Sequence, residues 1–256
     1  MKTITLSITL ITALLFGTHS FAQDAKEIAY KVYNRKAPTN GESDMTMTLI
    51  NKKGSERVRN LHQFFIDLGV TEKQVMFFTA PADVKNTSFM NWSYDEAGKE
   101  DDQWLYLPAL MKVKRISSSS KDNDFMGSDF TYEDMEKRSP ERDNHKLITT
   151  ETYNGESVWV MEASPKEEGQ YAKRKVWVSK SKNLPLKIEF YDEDNELLKV
   201  LTLTETQQIK GYWVVVKQEM KNVQKNHKTV IALTNIKVES GITEEKFTQR
   251  EMERGL

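Results

Sequence analysis

The 256-residue chain contains no cysteine. That excludes disulfide staples, thiol nucleophiles and thiolate metal sites, and leaves no thiol to carry a lipid anchor. Charge of one sign is also missing. Lysine and arginine total 37 against 38 aspartates and glutamates, interspersed along the chain, so no electrostatic footprint for nucleic acid exists. Histidine is rare, and His62, His145 and His227 stand too far apart for metal-ligand spacing. No Gly-x-Ser-x-Gly, phosphate-loop or dinucleotide fingerprint occurs. These absences point away from the common enzymes, and no catalytic residue, cofactor or metal is expected.

Long apolar runs are absent beyond the first 22 residues. Those 22 have the layout of an export signal: Lys2 as the positive start, an uncharged stretch from Ile4 to Phe16, then Ser20-Phe21-Ala22, which puts small residues before a cut at Gln23. The alternative is a retained membrane anchor, which the Thr, Ser and His19 of the stretch suit poorly. Residues 1–22 are therefore expected to be a signal peptide, and residues 23–256 a single domain acting as a soluble protein of the periplasm. Without disulfides, that domain has to be stabilised by a buried core.

Asp24 to Arg35 reads as a helix capped by Asp24, with Ala25, Ile28, Ala29, Val32 and Tyr33 on one stripe. After the loop Ala37–Ser43, β signals dominate. Candidate strands are Asp44–Ile50, Arg59–Asp67, Gln74–Ala80, Thr87–Tyr94, Gln103–Leu107, Lys146–Tyr153, Ser157–Ala163, Ala172–Ser179, Leu186–Tyr191, Leu197–Thr204, Tyr212–Met220 and Thr229–Val238. Short connectors such as Asn154-Gly155 and Lys210-Gly211 make neighbouring strands antiparallel. A short helix is expected near Thr243–Arg250. One connection, Pro108 to Asn144, is far longer than the rest, and loops of that length tend to be functional. Within it, Asp129–Arg138 reads as a further helix with Asp129 as cap.

Several strands are apolar on both faces. Trp104 and Tyr106 oppose Leu105 and Leu107; Val75 and Phe77 oppose Met76 and Phe78; Val158 and Val160 oppose Trp159 and Met161. Two or three short helices cannot cover both sides of so large a sheet. The sheet is therefore expected to curl, shielding its concave face and leaving space for an apolar ligand. The methionines suit an adaptable lining. The same residues also suit a tightly filled core.

One stretch is more specific. Gln103-Trp104-Leu105-Tyr106-Leu107-Pro108-Ala109-Leu110-Met111-Lys112-Val113-Lys114-Arg115-Ile116, followed by Phe125-Met126-Gly127-Ser128-Asp129-Phe130-Thr131-Tyr132-Glu133-Asp134, resembles the signature of LolA-like outer-membrane lipoprotein-sorting proteins. More narrowly, it is similar to the divergent subgroup found beside exporters of the resistance-nodulation-division type. The resemblance implies a mainly β (α+β) fold: a strongly curved antiparallel sheet forming an unclosed barrel, with a few helices covering the concave face. It also implies a carrier or chaperone that holds lipid or lipoprotein acyl chains, served by an inner-membrane exporter, an outer-membrane acceptor or both.

On this reading the candidate ligand-binding residues are Phe78, Trp92, Trp104, Tyr106, Leu107, Met126, Phe130 and Tyr132, with Lys112, Lys114 and Arg115 at a rim facing headgroups or a partner. The three cations equally suit a charged strand edge that discourages pairing. Asp122, Asp124, Gly127 and Glu133 follow part of an EF-hand spacing, but Met126 and Phe130 occupy ligand positions without a side-chain oxygen. A second reading from another class uses the same scaffold as a docking or sensor module without cargo. An enzyme acting on a lipid is a third.

Overall fold

The computed structural model describes residues 20–96 and 98–256. The export signal expected over residues 1–22 thus falls almost wholly outside the described residues. Among those described, no helix is long and apolar enough to cross a membrane.

Among the described residues, two α-helices and thirteen strands make up the fold. They are α1 (Ser20–Tyr33), β1 (Asn40–Ile50), β2 (Glu56–Asp67), β3 (Thr71–Ala80), β4 (Ser88–Tyr94), β5 (Asp102–Leu107), β6 (Lys112–Arg115), β7 (Asp143–Tyr153), β8 (Glu156–Pro165), β9 (Lys173–Ser179), β10 (Pro185–Tyr191), β11 (Leu197–Ile209), β12 (Tyr212–Asn222), β13 (His227–Val238) and α2 (Gln249–Arg254). All strands join one sheet in the order β6-β5-β4-β3-β2-β1-β13-β12-β11-β10-β9-β8-β7. Each neighbouring pair is antiparallel.

The sheet is two meanders, β1–β6 and β7–β13, welded where β1 meets β13 and Met47 faces Ile231. Its edges, β6 and β7, do not pair, so the barrel stays open. The sheet is nonetheless strongly curved. Ser93 on β4 and Val178 on β9 line one cavity although eight strand steps separate them. In a flat sheet those steps would span about 38 Å.

The twelve expected strands are all present, and β6 adds a thirteenth from the Lys112–Arg115 segment. The Asn154-Gly155 and Lys210-Gly211 turns have positive φ at both residues, as tight hairpins require. The stripe on α1 buries Ala25 and Ile28 against Met161 and Val178, with Ala29 and Val32 beside them. The helix already runs through Ser20–Asp24, where nothing breaks it, so Asp24 lies within it. Asp24 is therefore not its cap.

The C-terminal helix is α2, preceded by a 3-10 turn at Glu244–Lys246 and capped by the Thr248 hydroxyl, which accepts from the Glu251 amide at 3.2 Å. Phe247 and Met252 are fully buried against β3 and β4 residues, so α2 covers the outer face near β4–β6.

The long connection differs from expectation: Asp129–Arg138 is not a helix. The segment instead makes 3-10 turns at Ser118–Ser120, Phe125–Gly127, Glu133–Met135 and Pro140–Arg142. Asp129 cannot cap, because its carboxylate turns to the sheet, accepting from the Thr229 hydroxyl at 2.7 Å and lying 2.8 Å from His227 Nδ1. Topology explains the route. The connection leaves one edge of the sheet and re-enters at the other, so it must cross the concave face.

Candidate functional site

Strand alternation sorts the side chains into two faces. Met45 and Met47 on β1, Leu61 on β2, Met76 and Phe78 on β3, Phe89 on β4, and Ile231 on β13 point into the concavity. There they meet Phe125, Phe130 and Tyr132 from the long segment. Phe125 stacks edge-on against Phe89 and Tyr132, with ring centroids 5.0 and 5.6 Å away. Residues 121–135 are thus a plug that fills one end of the hollow, packing on β1–β4 and, across from them, on Phe190 of β10, Met220 of β12 and Ile231 of β13.

Buried charge fixes the plug. Lys199 of β11, 2% exposed, places Nζ 2.6 Å from Asp134 Oδ2 and 3.2 Å from the Asp129 carbonyl oxygen. The Tyr171 hydroxyl donates to Asp134 Oδ1 at 3.1 Å, and burial raises that hydroxyl's pKa. Arg138 grips Asp143 through Nε and Nη2 and reaches Glu133 Oε1 at 2.9 Å; Arg174 reaches the same oxygen at 3.0 Å. Burial works against the Asp143 charge, yet Arg138 holds its carboxyl below the usual range. Lys121 and Glu136 pair at 2.6 Å, and Arg59 donates to the Met126 carbonyl oxygen. Burial pushes Asp101, which accepts from Ser93, up to about 6.

The other end of the hollow, beside α1, stays open. A cavity of about 1050 Å³ lies between α1, residues 135–140 and the inner faces of β8–β13 and β1–β4. Its apolar wall includes Ala29 and Val32 of α1, Met161 of β8, Val176 and Val178 of β9, Ile188 of β10, Val215 of β12, and Leu233 and Val238 of β13. Its polar end carries Tyr33, Arg35, Glu72, Lys137 and Arg138. A second cavity of about 290 Å³ reaches under the plug to Met45, Met47, Met76 and Phe130. The two share Gln63, Gln74, Met135, Val215 and Leu233 as lining, which makes them neighbours.

The expected ligand-binding residues fall into separate places. Phe78, Met126, Phe130 and Tyr132 come together in the plugged half, and Phe130 alone of the eight lines a cavity, the smaller one. Leu107 shares the inward face of Leu105. Trp92, Trp104 and Tyr106 lie on the outer face in the cluster under α2, with the Trp92 and Trp104 rings 5.1 Å apart. Lys112 and Lys114 sit opposite Leu107 and Leu105 on β6, exposed at the sheet edge; Arg115 lies on the outer side, paired with Asp102. Glu133, from the EF-hand spacing, is taken by Arg138 and Arg174.

Residues of the larger cavity such as Val176, Ile188 and Leu233 were not singled out by sequence. The signal that bears on them is the two-sided apolar character of β8, and of β12, where Val214 and Val216 oppose Trp213 and Val215; it calls for cover without saying which face is hollow.

A family model described as that of an uncharacterized protein matches residues 70–254. Among solved structures, a protein described as an outer membrane lipoprotein-sorting protein domain from Vibrio parahaemolyticus is 34% identical, with a TM-score of 0.85 over 91% of this chain and 100% of its own. A DUF1329 family protein from Desulfovibrio piger is 28% identical, with the same TM-score of 0.85 over 90% of this chain and 98% of its own. A LolA superfamily protein from Nitrosomonas europaea shares the fold at 18% identity, with a TM-score of 0.68 over 90% and 99% of the two chains. No curated protein matches in sequence. Two meanders joined into an unclosed sheet, a plug across its hollow and this likeness over nearly the whole chain agree: the chain belongs to the LolA-like family of outer-membrane lipoprotein-sorting proteins.

Proposed function

We propose that this protein is a periplasmic carrier that holds lipid or lipoprotein acyl chains in the larger cavity and transfers them across the envelope. The observation that carries the reading is the open half of the concave face, about 1050 Å³ walled by Val, Ile, Leu and Met side chains. That volume is at the top of the range of about 300–1,000 Å³ usual for ligand pockets. Each methylene placed there gains about 0.8 kcal/mol. Arg138, Arg174, Glu133 and Asp143 beside the wall are tied into ion pairs with one another, an arrangement for holding a ligand rather than turning it over. The Vibrio parahaemolyticus relative, by its description, sorts lipoproteins of the outer membrane, which supports the same cargo class here.

On this reading residues 1–22 are the export signal and residues 23–256 the working domain. An inner-membrane exporter loads it, and an outer-membrane acceptor unloads it. The test is native mass spectrometry of protein purified from periplasm, followed by organic extraction and by titration with a fluorescent fatty acid. Co-purified lipid and saturable uptake are expected. Protein that is repeatedly empty and takes up no probe would end the carrier reading.

A further inference from the structure

The mouth of the larger cavity carries a charge that the protein leaves unanswered. Residues 34–39 run from the end of α1 to the start of β1, and Arg35 and Lys36 line the cavity beside Trp213 and Val214 of β12. Arg35 is partly buried, and burial lowers its pKa, so its guanidinium has given up water. Among the described residues its one side-chain hydrogen bond is a long one, Nη1 to the Trp213 carbonyl oxygen at 3.4 Å; it forms no ion pair there, and the carboxylate whose field reaches it, Glu72, is paired with Lys137.

Apart from Lys36, which lies over the Tyr212 ring, the other cations around the cavity are matched. Arg138 and Arg174 share Glu133 and Asp143, Lys137 pairs with Glu72, and Lys73 with Glu244. The lining's carboxylates are committed as well. Asp95 accepts the Tyr33 hydroxyl, and Asp67 turns back to the Gly69 amide at 2.7 Å. A half-desolvated guanidinium at the rim of an apolar hollow, without a carboxylate of its own, lacks an anion.

We propose that Arg35, with Lys36 beside it, receives the anionic head of an amphiphile whose hydrocarbon chain lies in the cavity, so that the preferred cargo bears a carboxylate or phosphate at the root of that chain. The inference rests on the carrier reading and narrows its ligand class. A planar guanidinium meets two oxygens of either group at once, and partial exclusion of water strengthens the pair. An alcohol or ester head of equal length offers no charge to match.

The experiment uses the mature chain and three ligands with the same hydrocarbon tail: palmitic acid, palmitoyl lysophosphatidate and hexadecanol. Each displaces a fluorescent fatty acid at mildly alkaline pH. At least one anion is expected to bind about tenfold more tightly than hexadecanol, and whichever anion leads identifies a free fatty acid or a phospholipid as the source. Arg35→Gln should erase the preference while leaving hexadecanol affinity in place, and Arg35→Lys should restore part of it. Equal binding of all three by the wild-type chain, or an unchanged preference in Arg35→Gln, overturns the anionic-head assignment and leaves the carrier reading standing. Failure of all three to bind removes both. The wild-type comparison needs no substitution, so a poorly folding variant cannot shelter the proposal.

Discussion

The two halves of the concave face are made from the same kind of strand and treated differently. At one end of the hollow the chain lays its own aromatic plug and clamps it with Lys199, Arg138 and Arg174. At the other it lays one amphipathic helix against β7–β9, which covers the rim and leaves a space. The first half gains stability from filling; the second gives up that stability for room. A buried ion pair is an expensive way to hold a loop compared with apolar packing. The clamp ends at Arg138 and Arg174 on the border of the hollow, and the wall beyond is Val, Ile, Leu and Met, which separates a part built to stay from a part built to receive.

The sharpest way to break this comparison is at the clamp. Lys199→Met strands the Asp134 carboxylate inside the protein and is expected to cost about 3–5 kcal/mol in urea unfolding, most of it recovered in Lys199→Met with Asp134→Leu. A single variant within about 1 kcal/mol of wild type would show that the plug is held by packing alone. Phe125→Ala attacks the packing itself. Its ring is wholly buried among Phe78, Phe89 and Tyr132, so a similar loss of about 3–5 kcal/mol is expected by the same measurement.

Asp101 gives a pH-dependent version. Its folded pKa, about 6, lies above the unfolded value of about 3.9, so the folded chain retains a proton that the unfolded chain has released. Its contribution therefore favours folding at low pH and is lost as pH rises through that window. Asp101→Asn should raise stability at neutral pH and flatten the profile between about 4 and 6, measured by denaturant melts across pH.

The smallest stability effect belongs to the open half. Val176→Phe adds bulk to a wall that faces space, so stability should stay within about 1 kcal/mol of wild type, whereas overpacking a filled core costs about 1–3. Fatty acid uptake should fall sharply in the same variant. Unchanged uptake would place the cargo elsewhere.

Much of this architecture was readable in the chain. The strands announced themselves by β-branched and aromatic runs between turn residues, and the α1 stripe by its spacing. The need for a curled sheet followed from greasy strands with too few helices to cover them. Two things were not readable, for different reasons. The plug's local pattern imitates a helix start, while its real course is set by β1 pairing with β13, an event between residues 40–50 and 227–238 that leaves no trace in local periodicity. The second was the choice of face. On β5, Trp104-Leu105-Tyr106-Leu107 is apolar both ways, so alternation cannot say which pair looks inward. The docking of α2 over Trp92, Trp104 and Tyr106 decides it, and that contact joins segments more than a hundred residues apart.

The β1–β13 ladder also sets an order of events. It is the one seam between the two meanders, and its second half cannot exist until the chain has been made as far as His227–Val238. Until then β1 has no partner on that side, and nothing joins Ser43 and Gln63 of one meander to Leu233 and Val238 of the other, which together line the cavity. The hollow therefore has no rudimentary form that grows with the chain. It comes into being at once, when a late strand docks on an early one, and a chain cut short before that point would be sticky and have no chamber.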